Sequence, residues 1–158
     1  MSKPDPKAVA TKLITDNRRA RYDYELLERV EAGVVLTGTE VKALREVGAQ
    51  LGQAYADFRG NELWLVGASI SEYARGNSAN HRPERDRKLL LHRREIDSLA
   101  GTVREKGLTL VPTRMYFKDG RVKVEIAVGR GKEKGDKRRT IAERDAKRQI
   151  ERALFRRR

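Results

Sequence analysis

His81 and His92 are the two histidines of this 158-residue chain and its first candidates for chemistry. Neither stands at a metal-ligand spacing, and the absence of cysteine excludes thiolate metal sites and disulfides. Most carboxylates alternate with Lys or Arg and read as partners in solvated ion pairs. Glu31 and Glu40 differ, because both lie in apolar stretches near turns. Glu40 follows Thr37 at capping-box spacing, which accounts for it. Glu31 has no such account and stands as a candidate site residue, with a structural ion pair as the alternative. Gly129-Arg130-Gly131 is not a phosphate loop: the later glycines are misplaced and no apolar helix follows directly. No Ser or Thr sits in a nucleophile elbow. No catalytic residue, metal site or cofactor is expected.

Binding chemistry is better represented. Lys and Arg number 36 against 23 Asp and Glu, for a net charge of +13 and a pI near 10.3. That excess suits a polyanion, nucleic acid first and an anionic membrane second. The cations cluster in three places. Arg18, Arg19 and Arg21 form the first. In the second, Arg82, Arg85, Arg87, Lys88, Arg93 and Arg94 surround Tyr73, Asn77, His81 and His92. The third is the last thirty residues, with thirteen Lys and Arg against five Asp and Glu. A solvated face explains any one run taken alone. The aromatic and amide residues of the second cluster favour RNA, since rings stack on bases, Asn reads base edges and Arg holds phosphate. Leu154 and Phe155 form an apolar pair among arginines, suited to anchor the far end of the tail. The alternative is that they stick to the body of the protein.

These residues need a scaffold. Residues 1–16 read as a flexible leader, broken by Pro4 and Pro6. From Tyr22 an alternation through Tyr24 and Leu26 predicts a bent or paired strand with a turn near Gly33. Thr37 to Gly48 predicts a short helix whose Val41, Leu44 and Val47 face the core. Two β-rich segments around Gly60-Asn61 predict a hairpin. Ser71 to Arg87 reads as a long loop. A short strand in KLLLH and a helix with Ile96, Leu99, Ala100 and Val103 inward follow, the helix stopping at Gly107. Asp119-Gly120 predicts a type I′ turn between two alternating strands. About six short strands with added helices suggest a mainly β fold, a Greek-key barrel of the OB type that closes its own edges. An open α+β sheet is the second choice. Domain limits fall at 1–16, 17–129 for the body and 130–158 for the basic tail.

In the tail, Thr140 and Glu143 have capping-box spacing and predict a helix from Ile141. Its apolar stripe of Ala142, Ala146, Ile150 and Ala153 is narrow, and about 15 residues is marginal for an isolated helix. The tail is therefore expected to be disordered in the free chain and helical when bound. No apolar run is long enough for a signal peptide or a membrane helix, so the expected location is the cytoplasm.

The strings NRRARYDYELLERVEAGVVLTGTEVKALREVGAQL, ISEYARGNSANHRPERDRKLLLHRREIDSL, LVPTRMYFKDGRVKVEIAVGRGK and DKRRTIAERD resemble the tmRNA-binding protein family, also called small protein B. The likeness runs from Asn17 to Asp145, with EAGVVLTGTEVK and RKLLLHRREI the most specific stretches. It implies a bacterial OB-fold adaptor that binds the tRNA-like domain of tmRNA and carries it into the A site of a stalled ribosome. The implied partners are tmRNA, small-subunit rRNA at the decoding centre and mRNA channel, and the 70S ribosome. A monomer with no membrane partner is expected. The implied tmRNA surface falls on Arg18, Arg19, Glu31, Lys42, Asn77, His81, Arg85, Lys88, Leu91 and His92, beside the basic Arg21, Arg87 and Arg93. The family's tail motif falls on Gly131, Lys132, Lys134, Asp136, Lys137 and Arg138. Two positions depart from it: Glu133 stands where Lys is common and Gly135 where Tyr or His is common. Any ring stacking at Gly135 is lost. Rival readings are an rRNA-binding ribosomal or assembly protein and, from another class, an RNA-processing enzyme.

Overall fold

The structure is a computed structural model that describes residues 10–76, 79–104, 108–132 and 134–156, with the backbone alone for 134–136 and 155–156. In chain order its elements are β1 (Thr11–Asp16), α1 (Arg18–Asp23), β2 (Tyr24–Val34), α2 (Gly38–Glu46), β3 (Ala49–Gln50), β4 (Tyr55–Arg59), β5 (Glu62–Val66), β6 (Ser69–Ile70), β7 (Arg87–Leu90), α3 (Arg93–Val103), β8 (Leu108–Lys118), β9 (Arg121–Gly131) and α4 (Lys134–Arg156).

Alternation closes the sheet into a barrel. Val122, Val124, Ile126 and Val128 of β9 point inward and are buried, while Arg121 is exposed. β8 and β9 form a hairpin through Asp119 and Gly120, whose φ values of 51° and 74° are those of a type I′ turn. Antiparallel pairings then run β9 to β2, β2 to β7, β7 to β5, β5 to β4, and β4 back to β8 at Ala56 and Leu110. Six strands thus close a ring, as expected for a barrel of the OB type, and the open α+β sheet is excluded. Leu63, Leu65, Leu89, Leu110, Met115 and Ile126 fill it, and α2 adds Ala43 and Leu44 to the same core. Gly67, at φ 80°, lets β5 turn toward β6: a Cβ there would stand 2.6 Å from the Gln53 carbonyl oxygen.

The expected hairpin at Gly60-Asn61 and the expected α2 and α3 are present. Other expectations are corrected. Residues 11–16 are not a leader: β1 pairs along Arg114–Lys118 of β8, beyond the point where β4 leaves that edge. Arg18–Asp23 is a helix, because Asn17 caps it; its side chain accepts from the Ala20 amide and donates to the carbonyls of Leu51 and Pro112. Tyr22 therefore lies on α1, and the strand begins at Tyr24. No turn occurs at Gly33; β2 runs on, with Lys123 of β9 on one side and Leu90 of β7 on the other. On α2, Ala43 takes the buried place expected of Val47, which is 70% exposed. The stop at Gly107 lies outside the described residues.

In the tail the expected helix is present as α4, but it is 23 residues long and starts at Lys134 rather than Ile141. Two additional turns take it past the roughly 12–15 residues at which an isolated helix is marginal. Contacts from α1 support those turns: Lys137 pairs with Asp23 at 3.4 Å. Thr140 is then interior, and its hydroxyl accepts from Lys132 Nζ at 2.8 Å instead of capping.

One buried ion pair ties α2 to the strands. Glu40 and Arg87 are both fully buried. Arg87 Nε donates to Glu40 Oε2 at 2.5 Å, and its Nη1 and Nη2 donate to the carbonyls of Ala68 and Pro83. Glu40 Oε1 accepts from the Thr37 amide and from Arg85, and the Thr37 hydroxyl accepts from the Glu40 amide, which completes the capping box. Burial pushes the Glu40 carboxyl up, but the hydrogen bonds from Arg85, Thr37 and Arg87 outweigh it and hold its pKa below the ordinary value. A depressed carboxylate pKa stabilises the fold fully above the unfolded pKa of about 4.3 and loses that contribution as pH falls through the folded value. Glu40→Gln removes the charge that compensates Arg87. It should destabilise the protein by roughly 3–5 kcal/mol at neutral pH, and the loss should shrink as the pH is lowered below about 4. Urea unfolding of both proteins across that range is the check.

Candidate nucleic-acid interface

The structure gathers the candidate residues into three groups. α2 is the platform for the first. Each of three α2 residues holds one residue of the long loop: Thr39 Oγ1 lies 2.9 Å from His81 Nδ1, Glu40 binds Arg85, and Lys42 sits over the Tyr73 ring at 5.6 Å. His81 is buried, with Nε2 2.9 Å from the Ile70 carbonyl oxygen. Its imidazole clasps the loop to the barrel, so it is not the surface histidine that is the alternative reading of the sequence. Arg85 is half-buried and also reaches the Val35 carbonyl. Arg87 belongs to the core and presents no atom to a phosphate. That corrects its placing among RNA contacts: a cation on the inward side of β7 needs a buried counter-charge, and Glu40 is that charge. Asn77 lies outside the described residues.

Around this loop, Lys88 points outward and pairs with Glu62 at 3.2 Å. Leu91 is half-buried against the core. His92 is exposed at the start of α3, where its amide donates to Glu95. Arg93 is exposed and 3.5 Å from Asp97, a pairing loose enough to yield to phosphate.

Glu31 makes the second group. Its carboxylate accepts from the Tyr116 hydroxyl and from Lys118 Nζ at 3.2 Å. The Tyr116 bond leads in holding the Glu31 pKa below its ordinary value; burial opposes it and Lys118 reinforces it. Burial, with the same contact, pushes the Tyr116 phenol up. Thr11, Leu13, Glu31, Arg114 and Tyr116 line a cleft of about 220 Å³. A carboxylate so placed both orders Tyr116 and leaves part of itself open to donors. Arg114, Tyr116 and Lys118 escaped the sequence reading, although their period-two spacing on β8 puts them on one face.

The third group joins α1 to the tail. Arg18 and Arg19 are exposed, and Arg19 pairs with Asp23 at 3.3 Å. Arg21 binds Asp16 of β1 through both oxygens, at 2.6 and 3.0 Å, which occupies its fork. Gly131 ends β9, and Lys132 and Lys137 reach back to α1. Arg138 is exposed, as is Leu154 at 63%. That exposure removes the reading in which Leu154 sticks to the body. The side chains of Lys134, Asp136 and Phe155 lie outside the described part of the structure.

No group of three or more His, Cys, Asp or Glu among the described residues is placed to hold a metal ion. No helix among them is long and apolar enough to cross a membrane.

The family model described as SmpB protein matches residues 14–156. An SsrA-binding protein of Thermobifida fusca is 54% identical over 156 residues, 99% of this chain and 98% of its own. Another, of a Parafrankia species, is 54% identical over 151 residues, 96% of each chain. A solved structure described as "tmRNA-SmpB: a journey to the center of the bacterial ribosome" is 47% identical with a TM-score of 0.66, covering 78% of this chain and 87% of that one. By sequence over nearly its whole length and by fold, the chain belongs to the SmpB protein family.

Proposed function

We propose that the chain is an RNA-binding adaptor for trans-translation. It binds the tRNA-like domain of tmRNA with its barrel and delivers that RNA to the A site of stalled ribosomes. The observation that carries this reading is a division of labour in one chain. A barrel presents a basic loop clasped to α2, and a separate basic helix leaves it exposed from residue 141 to 154. Two polyanions can then be held at once. A permanent rRNA-binding protein needs one such surface, and the solved relative described with tmRNA in the ribosome fits the adaptor. The chain acts without catalysis, in the cytoplasm where its ribosomes are.

Within the body, Arg18, Arg19, Lys42, Arg85, Lys88, His92 and Arg93 would meet phosphate and sugar, with Glu31 as an acceptor and Leu91 as an apolar contact. Arg21, His81 and Arg87 position the others. In the tail, Lys132, Lys134, Lys137 and Arg138 would meet ribosomal RNA, with Leu154 and Phe155 at the far end. β1 belongs to the body, which therefore starts near residue 10 rather than 17.

Four outcomes test this. Binding of the tRNA-like RNA should weaken steeply with salt, each phosphate contact adding roughly 0.7–0.9 to the slope of log K against log salt. A chain cut after Lys132, which leaves β9 whole, should keep most of that affinity; loss of binding on truncation would overturn the two-surface division. Glu31→Gln should lower RNA affinity while the melting temperature moves little, because Glu31 and Lys118 are over one-third exposed and such pairs contribute about 0–1 kcal/mol. A fall in melting temperature with unchanged affinity would make Glu31 structural. Leu154→Asp should abolish tagging on stalled ribosomes and spare tmRNA binding, measured by tag incorporation and by gel shift.

A further inference from the structure

The long loop returns to α2 at two points, and one side chain joins them. His81 Nδ1 lies 2.9 Å from Thr39 Oγ1, and the Tyr73 ring lies beneath Lys42 Nζ. Thr39 and Lys42 are three residues apart on α2 and so share a face of the helix. Asn80 stands between the two points. Its Oδ1 accepts from the amides of Tyr73 and His81, both at 3.1 Å, and its Nδ2 donates to the Tyr73 carbonyl at 2.6 Å. The Tyr73 backbone is thus held at both its polar groups by a residue whose neighbour, His81, is buried and bound to the Ile70 carbonyl. Gly76 completes the turn, its amide donating to the Tyr73 carbonyl at 2.9 Å. A Cβ at Gly76 would stand 2.7 Å from Asn80 Nδ2, so any side chain there pushes Asn80 aside.

Lys42 differs from the cations around it. Lys88 and Arg93 lean on the carboxylates of Glu62 and Asp97, which a phosphate must displace. Lys42 is exposed and has no ion pair among the described residues; its ammonium stands 5.6 Å from the centre of the Tyr73 ring. An aromatic ring attracts a cation through its quadrupole but carries no net charge. It therefore orders the flexible lysine stem and leaves the whole charge to a phosphate. Tyr73 is half-buried against the core, which makes its ring a fixed support.

We propose that Tyr73 and Asn80 are positioning residues: Asn80 fixes the Tyr73 backbone, and the Tyr73 ring holds the Lys42 ammonium ready for a phosphate of the bound RNA. The phosphate half of this inference rests on the adaptor reading; the placing of Lys42 does not.

Nuclear magnetic resonance of the full chain tests the placing. The Lys42 ε-methylene protons should show an upfield ring-current shift that Tyr73→Phe keeps, Tyr73→Leu abolishes and Asn80→Ala reduces. Gly76→Ala should act as Asn80→Ala does and add nothing to it. No such shift in the parent chain, or a full shift in both Asn80→Ala and Gly76→Ala, overturns the placing. Binding of the tRNA-like RNA across a salt series tests the function. Lys42→Ala should lower affinity several-fold and flatten the slope of log K against log salt by about 0.7–0.9, the loss of one phosphate contact. Tyr73→Leu should lower affinity and flatten the slope by less, with no effect once Lys42 is already Ala; Tyr73→Phe should bind as the parent does. A merely structural role moves the melting temperature and leaves the slope of the folded protein alone. Lower affinity of Tyr73→Leu at an unchanged slope would mean that the ring itself meets a base, and overturns the proposal, as does an unchanged slope in Lys42→Ala. Both results leave the adaptor reading intact, because the parent chain still binds the RNA. A parent chain that does not bind it overturns that reading and the phosphate half together.

Discussion

The Glu40 carboxylate is the constraint on which the binding surface depends. It sits where a capping residue belongs, in the first turn of α2, but it is fully buried and serves two guanidinium groups as well as a backbone amide. Leaving water is costly for each of these charges. Hydrogen bonding offsets much of that cost: both Glu40 oxygens accept, and Arg87 also donates through Nη1 and Nη2 to the carbonyls of Ala68 and Pro83, while Arg85 Nε is buried with no partner among the described residues. Those carbonyls bracket the long loop, just before β6 at one end and just before Arg85 at the other. The long loop thereby acquires fixed ends. His81 and Tyr73 are then fastened between them to Thr39 and Lys42 of the same helix. The interaction is as much about specificity as stability, since an apolar pair in its place would fill the core but hold no loop.

What was legible in the sequence was local. The β8–β9 hairpin announced itself through Asp119-Gly120 and the alternating valines, and the Thr37–Glu40 box through its spacing. Both signals are complete within a dozen residues. Arg87 was misread because its partner stands 47 residues away. Alternation on β7 does put Arg87 on the face of Leu89, but an arginine on an inward face is admissible only once the carboxylate opposite is known. β1 and α1 were missed for the same reason. The strand is defined by its ladder to β8 and the helix by Asn17, whose amide bonds to residues 34 and 95 positions distant. Glu31 was singled out correctly as unusual, yet Tyr116 and Lys118 supply its meaning from 85 and 87 residues on.

In the tail, a local argument places the start of the helix too late. Arg144, Arg148 and Arg152 repel at helical spacing, and the apolar stripe is thin, so an isolated peptide would be poorly ordered. Each unfavourable pair is worth only a few tenths of a kcal/mol, and Glu143 to Lys147 offsets part of it. Nucleation is the greater obstacle for a short helix. α1 lowers that obstacle by holding the residues on either side of the first turn, Lys132 and Lys137, in fixed positions. Once a nucleus is held, the remaining residues, most of them good helix formers, extend it without needing a face to bury. Exposure of Ile150 and Leu154 follows directly, since nothing in the propagation step calls on them. Their apolar surface lies exposed toward the far end of the helix.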